Sequence, residues 1–128
     1  HIINYRTHIA WEKEVIKISN GGVDLVIDVA GGNSLAQSID ALGFNGRVAI
    51  IGFLNGSLSS INLIPLIRKD ASLLAYTTGS REDLEGFVRW LNINPIQPII
   101  SGTYTDFNQA FQSFEKRQTP GKIVVTWD

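Results

Sequence analysis

Three short segments of this chain could hold a ligand: Gly31-Gly32, Gly52-Phe53-Leu54 and Gly79-Ser80. Each follows a run rich in Val, Ile, Leu, Ala or Thr. A residue without a Cβ lets backbone N–H groups come close to a bound molecule, so the chemistry on offer is holding rather than transforming. The groups that could transform a substrate are poorly placed for it. Asp24 and Asp28 alternate onto one face of their segment, but general acid–base work needs a reachable proton and nothing sets a substrate between them. They are read as structural. His1 and His8 are the only histidines, cysteine is absent and no spaced acidic cluster accompanies them, so a metal site is not expected. The serines have neither a nucleophile elbow nor a neighbouring base. No catalytic residue is assigned.

The elements that must position these segments are legible. Val23–Ala30 and Arg47–Ile51 are near-continuous apolar runs, the pattern of strands covered on both faces. Between them Ser34–Leu42 carries Leu35, Ile39 and Leu42 on one helical face. Strand, helix and strand at this spacing make a right-handed parallel crossover of a doubly wound α/β sheet, in which ligands bind beyond the carboxyl ends of the strands. A further helix is expected around Leu63, Ile64 and Ile67 with Pro65 in its first turn, then a strand over Ser72–Thr78. Upstream, His1–Tyr5 reads as a short strand, followed by a helix with Trp11, Val15 and Ile18 that Asn20-Gly21-Gly22 stops.

Ser80-Arg-Glu-Asp83 resembles a capping box and opens a helix with Leu84, Phe87, Val88 and Leu91 on its buried face. A proline-bearing break over Asn92–Pro98 precedes a strand at Ile99–Tyr104. Phe107, Ala110, Phe111 and Phe114 then mark an amphipathic helix whose stripe is core or interface. Thr119-Pro-Gly121 leads into a last strand, Lys122–Trp127. The boundaries expected are 1–92 for the first domain and 93–128 for a strand–helix–strand tail.

The bulk properties fit an ordinary globular domain of 128 residues, 44% hydrophobic and 18% charged. A net charge of -1 gives no electrostatic reason to expect nucleic acid or an anionic membrane as partner. No apolar run approaches the roughly 20 residues of a membrane helix and no signal peptide is visible, so a soluble, cytoplasmic protein is expected. Methionine is lacking even at position 1, from which a processed or excised piece is expected.

Seven stretches, in this order and spacing, carry a resemblance to a known family: His1-Ile-Ile-Asn-Tyr-Arg6, Gly22-Val-Asp-Leu-Val-Ile-Asp28, Ser34-Leu-Ala-Gln-Ser38, Gly46-Arg-Val-Ala-Ile-Ile-Gly52, Ile61-Asn-Leu-Ile-Pro-Leu66, Gly79-Ser-Arg-Glu82 and Gly121-Lys-Ile-Val-Val125. Over nearly its whole length the chain is similar to the C-terminal portion of the medium-chain (zinc-type) alcohol dehydrogenase and quinone oxidoreductase superfamily. The resemblance implies the distal half of a Rossmann-type sheet, part of an NAD(P)-dependent oxidoreductase. A catalytic domain, with zinc if any, would precede it. No G-x-G-x-x-G is present, so the loop that would bind the pyrophosphate is not in this sequence.

The resemblance further implies that Gly52, Phe53, Leu54, Gly79 and Ser80 line the nicotinamide end of a cofactor cleft, and that Gly31 and Gly32 flank its adenosine side. A tight turn at Gly52, a helix cap at Ser80 and a plain strand-to-helix turn at Gly31-Gly32 are the alternatives. Tyr5 and Arg6 resemble residues near an adenosine 2′-phosphate in some relatives, favouring NADP over NAD; a packing tyrosine and a solvated arginine are the alternative. Lys122 and Arg81 are read as surface residues. From the strand order of such sheets, His1–Tyr5 is not expected at its family position, which leaves Val23–Ala30 an open apolar edge, and a homo-oligomer joined through sheet edges is expected. The isolated chain is expected to be inert. The competing reading is a non-catalytic truncated module for dimerisation or regulation.

Overall fold

A computed structural model of the chain describes residues 1–116 and 120–127. They fall into two compact units, His1–Thr78 and Gly79–Asp128.

The first unit begins with an arm that does not form the strand expected over His1–Tyr5. The Asn4 carbonyl accepts from the N–H groups of Thr7 (3.1 Å) and His8 (2.9 Å), which makes a turn. Strand preference is a matter of having a neighbour to pair with, and Ile2 is 99% exposed. Helix α1, Trp11–Ser19, follows with Glu12 and Glu14 in its first turn and Lys17 in its last, charges that suit the helix dipole. It ends where Asn20 adopts the left-handed conformation (φ 56°, ψ 48°), as the Asn-Gly-Gly run implied.

Strand β1, Val23–Asp28, stops two residues short of Ala30 because the Asp28 side chain takes the N–H groups of Ala30 and Gly31. Helix α2, Ser34–Asp40, also ends sooner than expected, and strand β2, Leu42–Ile50, starts five positions before Arg47. Phe44-Asn-Gly46 falls in a bulge within β2. Val23 pairs with Leu42 and Leu25 with Arg47, so the intervening residues of β2 are extra, and Asn45 carries a positive φ of 59°. Leu42 thereby becomes a fully buried strand residue rather than the last residue of a helix.

Helix α3, Leu63–Lys69, starts at Asn62, whose side chain accepts from the Ile64 N–H at 3.0 Å, with Pro65 in the first turn. Lys69 reaches back from its far end to the Asp40 carbonyl (2.7 Å) and neutralises the carboxyl end of α2. Strand β3, Ser72–Ala75, ends three residues before Thr78. The sheet runs β1-β2-β3 with both pairings parallel. Leu35, Ile39, Leu42 and Val48 form its core, with Val26, Ile50, Leu66 and Leu73 packed around them.

The second unit contains helix α4, Arg81–Ile93, strand β4, Ile100–Tyr104, helix α5, Phe107–Glu115, and strand β5, Lys122–Val125. Strands β4 and β5 pair in parallel on either side of α5 in sequence, which is one more crossover unit. The face of α4 expected to be buried is not. Leu84, Phe87 and Val88 stay exposed and Leu91 is half-buried, because no layer among the described residues of this unit covers them. Phe107, Phe111 and Phe114 are likewise exposed, and the buried member of the α5 stripe is Ala110. Thr119 of the expected Thr-Pro-Gly turn lies outside the described residues.

Candidate functional site

One carboxylate organises the carboxyl end of β1. Asp28 is buried, and its Oδ1 accepts from the Ala30 N–H (2.9 Å) and the Gly31 N–H (2.8 Å). Its Oδ2 accepts from the Ser38 hydroxyl at 2.7 Å. Asp24 is exposed, so the two carboxylates do not work as a pair. The signal for this role was an aspartate two residues before an Ala-Gly-Gly turn, where a carboxylate captures the backbone N–H groups that follow it.

Gly31 and Gly32 follow, buried and left-handed (φ 62° and 54°). What lies against them is the loop after β2. A Cβ on Gly31 would stand 2.9 Å from the Gly56 carbonyl oxygen, and one on Gly32 would stand 2.6 Å from that of Asn55. A Cβ on Gly52 would stand 2.5 Å from the Val29 carbonyl oxygen. The two loops are bonded together, Asn55 N–H to the Ala30 carbonyl at 2.7 Å. These glycines therefore admit loop against loop, while Phe53 and Leu54 project outward, 72% and 79% exposed.

Below this joint lies a cleft of about 740 Å³. The edge of β1 (Val26 and Ile27) forms one wall, Trp11 and Val15 of α1 another, and Ile3 and Tyr5 of the arm a third. Asn33, Ser34, Leu54 and Asn55 close the end beyond the strand. Gln37 fixes α1 and α2 at the base by donating to the Ile9 carbonyl (2.6 Å) and to Glu12 (2.7 Å). Of the residues singled out from sequence, Tyr5 and Leu54 line this cleft, whereas Gly31, Gly32, Gly52 and Phe53 do not. The Arg6 guanidinium sits 6.0 Å from the centre of the Tyr5 ring. Among the described residues no lysine or arginine lines the cleft, and its one carboxylate is already committed to three donors. Such walls suit a flat ring and supply no counter-charge for phosphate.

Gly79 and Ser80 belong to the second unit. Ser80 caps α4: its hydroxyl accepts from the Asp83 N–H (3.2 Å), and the Asp83 carboxylate accepts from the Ser80 N–H (2.7 Å). The Ser80 hydroxyl also donates to the Asp83 carboxylate (2.7 Å), and this bond, with the one from the Ser80 N–H, holds the Asp83 carboxyl below the usual carboxylate range. Arg81 forms a solvent-exposed i,i+4 pair with Glu85 (2.8 Å), of little energetic consequence. Lys122 opens β5 and is exposed. Among the described residues no three His, Cys, Asp or Glu side chains come together.

Residues 1–92 match the zinc-binding dehydrogenase family model. The chain belongs to the zinc-binding dehydrogenase family. Its relatives include the quinone oxidoreductase-like protein 2 of Bos taurus (25% identity, 85% of this chain and 34% of that protein). A zinc-type alcohol dehydrogenase-like protein of Schizosaccharomyces pombe matches at 28% identity over 100% of this chain and 39% of its own length. The zinc-binding dehydrogenase segment described here thus spans between a third and two fifths of these curated relatives.

Among solved structures, a Sinorhizobium meliloti 1021 protein described as an alcohol dehydrogenase superposes with a TM-score of 0.81 (28% identity, 94% of this chain, 36% of that one). A crotonyl-CoA carboxylase/reductase solved with NADP shares the fold at a TM-score of 0.77 (20% identity, 92% of this chain, 31% of that one). The α/β architecture with parallel sheets expected from sequence is the observed one, Rossmann-like and shared with these dehydrogenases. Zinc itself does not fit the described residues of this segment, which gather no ligand set. No helix among them is long and apolar enough to cross a membrane.

Proposed function

We propose that this chain is the cofactor-facing distal part of a nicotinamide-dependent oxidoreductase of the alcohol dehydrogenase or quinone oxidoreductase kind. The observation that carries the reading is the cleft that ends at the joined loops after β1 and β2, on the side of a parallel sheet where such folds bind ligands. The dinucleotide would supply hydride transfer. The chain's own part is to offer Trp11, Tyr5 and Leu54 as apolar surface for a ring and to hold the strand-end loops rigid through Asp28. Gly31, Gly32, Gly52 and Phe53 then act behind that surface, setting the loop that presents Leu54. Gly79 and Ser80 are proposed for the nicotinamide end on the family resemblance alone.

Without a cationic lining or a G-x-G-x-x-G loop the pyrophosphate has no counterpart, so this chain alone is expected to be catalytically inert. The resemblance of Tyr5 and Arg6 to residues near an adenosine 2′-phosphate in some relatives is what favours NADP over NAD. Copies are proposed to join through the edge of β3, whose outer side has no strand partner among the described residues and where Leu74 is 38% exposed. That same edge favours the second reading, a non-catalytic dimerisation or regulatory module.

The test is a titration of Trp fluorescence with NADPH and, in parallel, NADH, exploiting Trp11 in the cleft wall. Weak binding with NADPH ahead of NADH is the expected result, and Arg6→Ala should remove the difference. A complete lack of response at millimolar nucleotide would sink the cofactor reading and leave the module.

A further inference from the structure

Asparagine is followed by glycine at three places: Asn20-Gly21, Asn45-Gly46 and Asn55-Gly56. In such a pair the glycine nitrogen can attack the side-chain amide of the asparagine, because no Cβ shields it. Asparagine is thermolabile partly for this reason. The attack needs the glycine N–H released from its acceptor and room beside it for a cyclic imide. The fold meets these two conditions very unequally.

At the first pair the N–H groups of Asn20 and Gly21 converge on the Ile16 carbonyl, Gly21 at 3.0 Å, and the Ser19 hydroxyl takes the Gly22 N–H at 2.9 Å. Releasing Gly21 therefore undoes the end of α1. At the second pair Gly46 is buried in the bulge of β2. A Cβ there would stand 3.0 Å from the Gly43 and Val23 carbonyl oxygens and from the Leu42 Cβ, so a cyclic imide does not fit unless β1 moves. The third pair differs on both counts. Asn55 and Gly56 are exposed, and a Cβ on Gly56 would meet nothing within 4 Å. The Gly56 N–H donates to the Phe53 carbonyl at 2.9 Å, a turn inside an exposed loop, which is the class of bond that opens at low cost.

We propose that Asn55 is a self-modification site, selected by the fold from the three Asn-Gly pairs for deamidation in water. Gly56 loses its amide proton to solvent base, and its nitrogen forms a bond to Cγ of Asn55. The Cγ–Nδ2 bond breaks, and ammonia leaves with a proton from water. Water then opens the cyclic imide. Addition at Cγ breaks the new bond and gives aspartate. Addition at the backbone carbonyl breaks the original peptide bond and gives isoaspartate, whose main chain runs on through Cβ and Cγ. The net change is amide and water to carboxylate and ammonium, with nothing oxidised or reduced. The inference is independent of the cofactor reading.

The place of Asn55 gives the product its effect. Its N–H joins the loop after β2 to the Ala30 carbonyl at 2.7 Å, and its carbonyl oxygen lies 2.6 Å from where a Gly32 Cβ would stand, so the loop has no slack there. The extra main-chain methylene of isoaspartate has to open that joint. Aspartate keeps both the main chain and the joint. Isoaspartate formation is thus a slow, one-way release of the loop that presents Leu54.

The experiment incubates the 128-residue chain at mildly alkaline pH, with and without urea, and follows acid formation at each asparagine by peptide mapping and mass spectrometry. In the folded chain Asn55 should convert about tenfold faster than Asn20 or Asn45, and in urea the three rates should draw together. Asn55→Gln, whose longer side chain disfavours the cyclic imide, should abolish the fast phase. Should that variant fail to fold, Asn55→Ser removes the side-chain amide and serves the same comparison. The isoaspartyl form is then separated, and exchange of the residue 55 amide, corrected for intrinsic rates, should be about tenfold faster than in the unmodified chain, while Asn55→Asp keeps its protection. Equal or faster conversion at Asn20 or Asn45 in the folded chain would overturn the proposal, as would an order that urea leaves unchanged. Full protection of the residue 55 amide in the isoaspartyl form would overturn the release of the loop.

Discussion

The Ser38 hydroxyl on α2 donates to the Asp28 carboxylate at the end of β1, at 2.7 Å with both residues buried. Helix and strand end are thereby locked, and the same carboxylate holds the turn through two N–H groups. Ser38→Ala leaves one carboxylate oxygen short of a partner and should cost about 1–3 kcal/mol of stability. Asp28→Asn keeps an acceptor for the turn and should cost less than Asp28→Ala, which strands all three donors. Urea unfolding of the three variants gives the order directly.

Two glycines make opposite predictions. Gly32→Ala puts a methyl 2.6 Å from the Asn55 carbonyl oxygen in a left-handed backbone, and should cost about 1–3 kcal/mol while loosening the 53–56 loop. Gly86 lies inside α4, where a Cβ would meet only an Arg89 guanidinium nitrogen at 3.8 Å. Gly86→Ala should stabilise the helix by about 0.5–1 kcal/mol. Thermal melts of both variants would show shifts of opposite sign, and a loss with Gly86→Ala would contradict the helical packing described.

The α4 cap should be sensitive to acid. Bonding to Ser80 depresses the Asp83 pKa in the folded chain, so its contribution is complete above the usual carboxylate range and is lost as pH falls through the depressed value. Exchange of the Asp83 amide, followed from about pH 5 down to about pH 2 and corrected for intrinsic rates, should accelerate at the acid end. Asp83→Asn should make the corrected profile flat.

Exposed and buried apolar residues should respond very differently. Phe111 is 49% exposed on α5, and Phe111→Ser should change stability by less than about 1 kcal/mol while reducing binding of a hydrophobic dye. Ile39 is 1% exposed at the centre of the core, and Ile39→Ala should cost about 2–5 kcal/mol. Comparable losses for the two would mean that something covers α5.

Most of the fold of the first unit was legible because apolar runs mark its strands, although β1, read as covered on both faces, buries only Asp28 and leaves Leu25 and Ile27 exposed. Val23–Asp28, the left-handed stop at Asn20 and the Ser80–Asp83 capping box all followed from local chemistry. The errors arose where tertiary context decides. Asn45 and Gly46 carry turn chemistry whether they form a hairpin-like turn or a bulge, and only pairing with β1 distinguishes the two. His1–Tyr5 has strand composition but no neighbour. The periodicity of Leu84, Phe87 and Val88 marks an apolar face correctly and says nothing of whether this chain covers it.

The site was less readable. Tyr5 and Leu54 reach the cleft, but the glycines that looked like ligand contacts serve the approach of one loop to another. Asp28, set aside as merely structural, turned out to hold the whole strand end. Its importance depends on Ser38, and a contact across ten residues has no local signature.

The small core of the first unit has a thermodynamic consequence. Heat capacity rises on unfolding chiefly because apolar groups newly meet water. Among its described residues Ile39, Ala41, Leu42 and Val48 are the apolar residues fully withdrawn, with Leu35 nearly so, while Leu25, Ile27, Phe53 and Leu58 are already wetted in the folded chain. Its stability curve against temperature should accordingly be shallow, with a broad melting transition and little cold-side curvature. Any partner that covers the β1 edge would sharpen that transition as well as raise it.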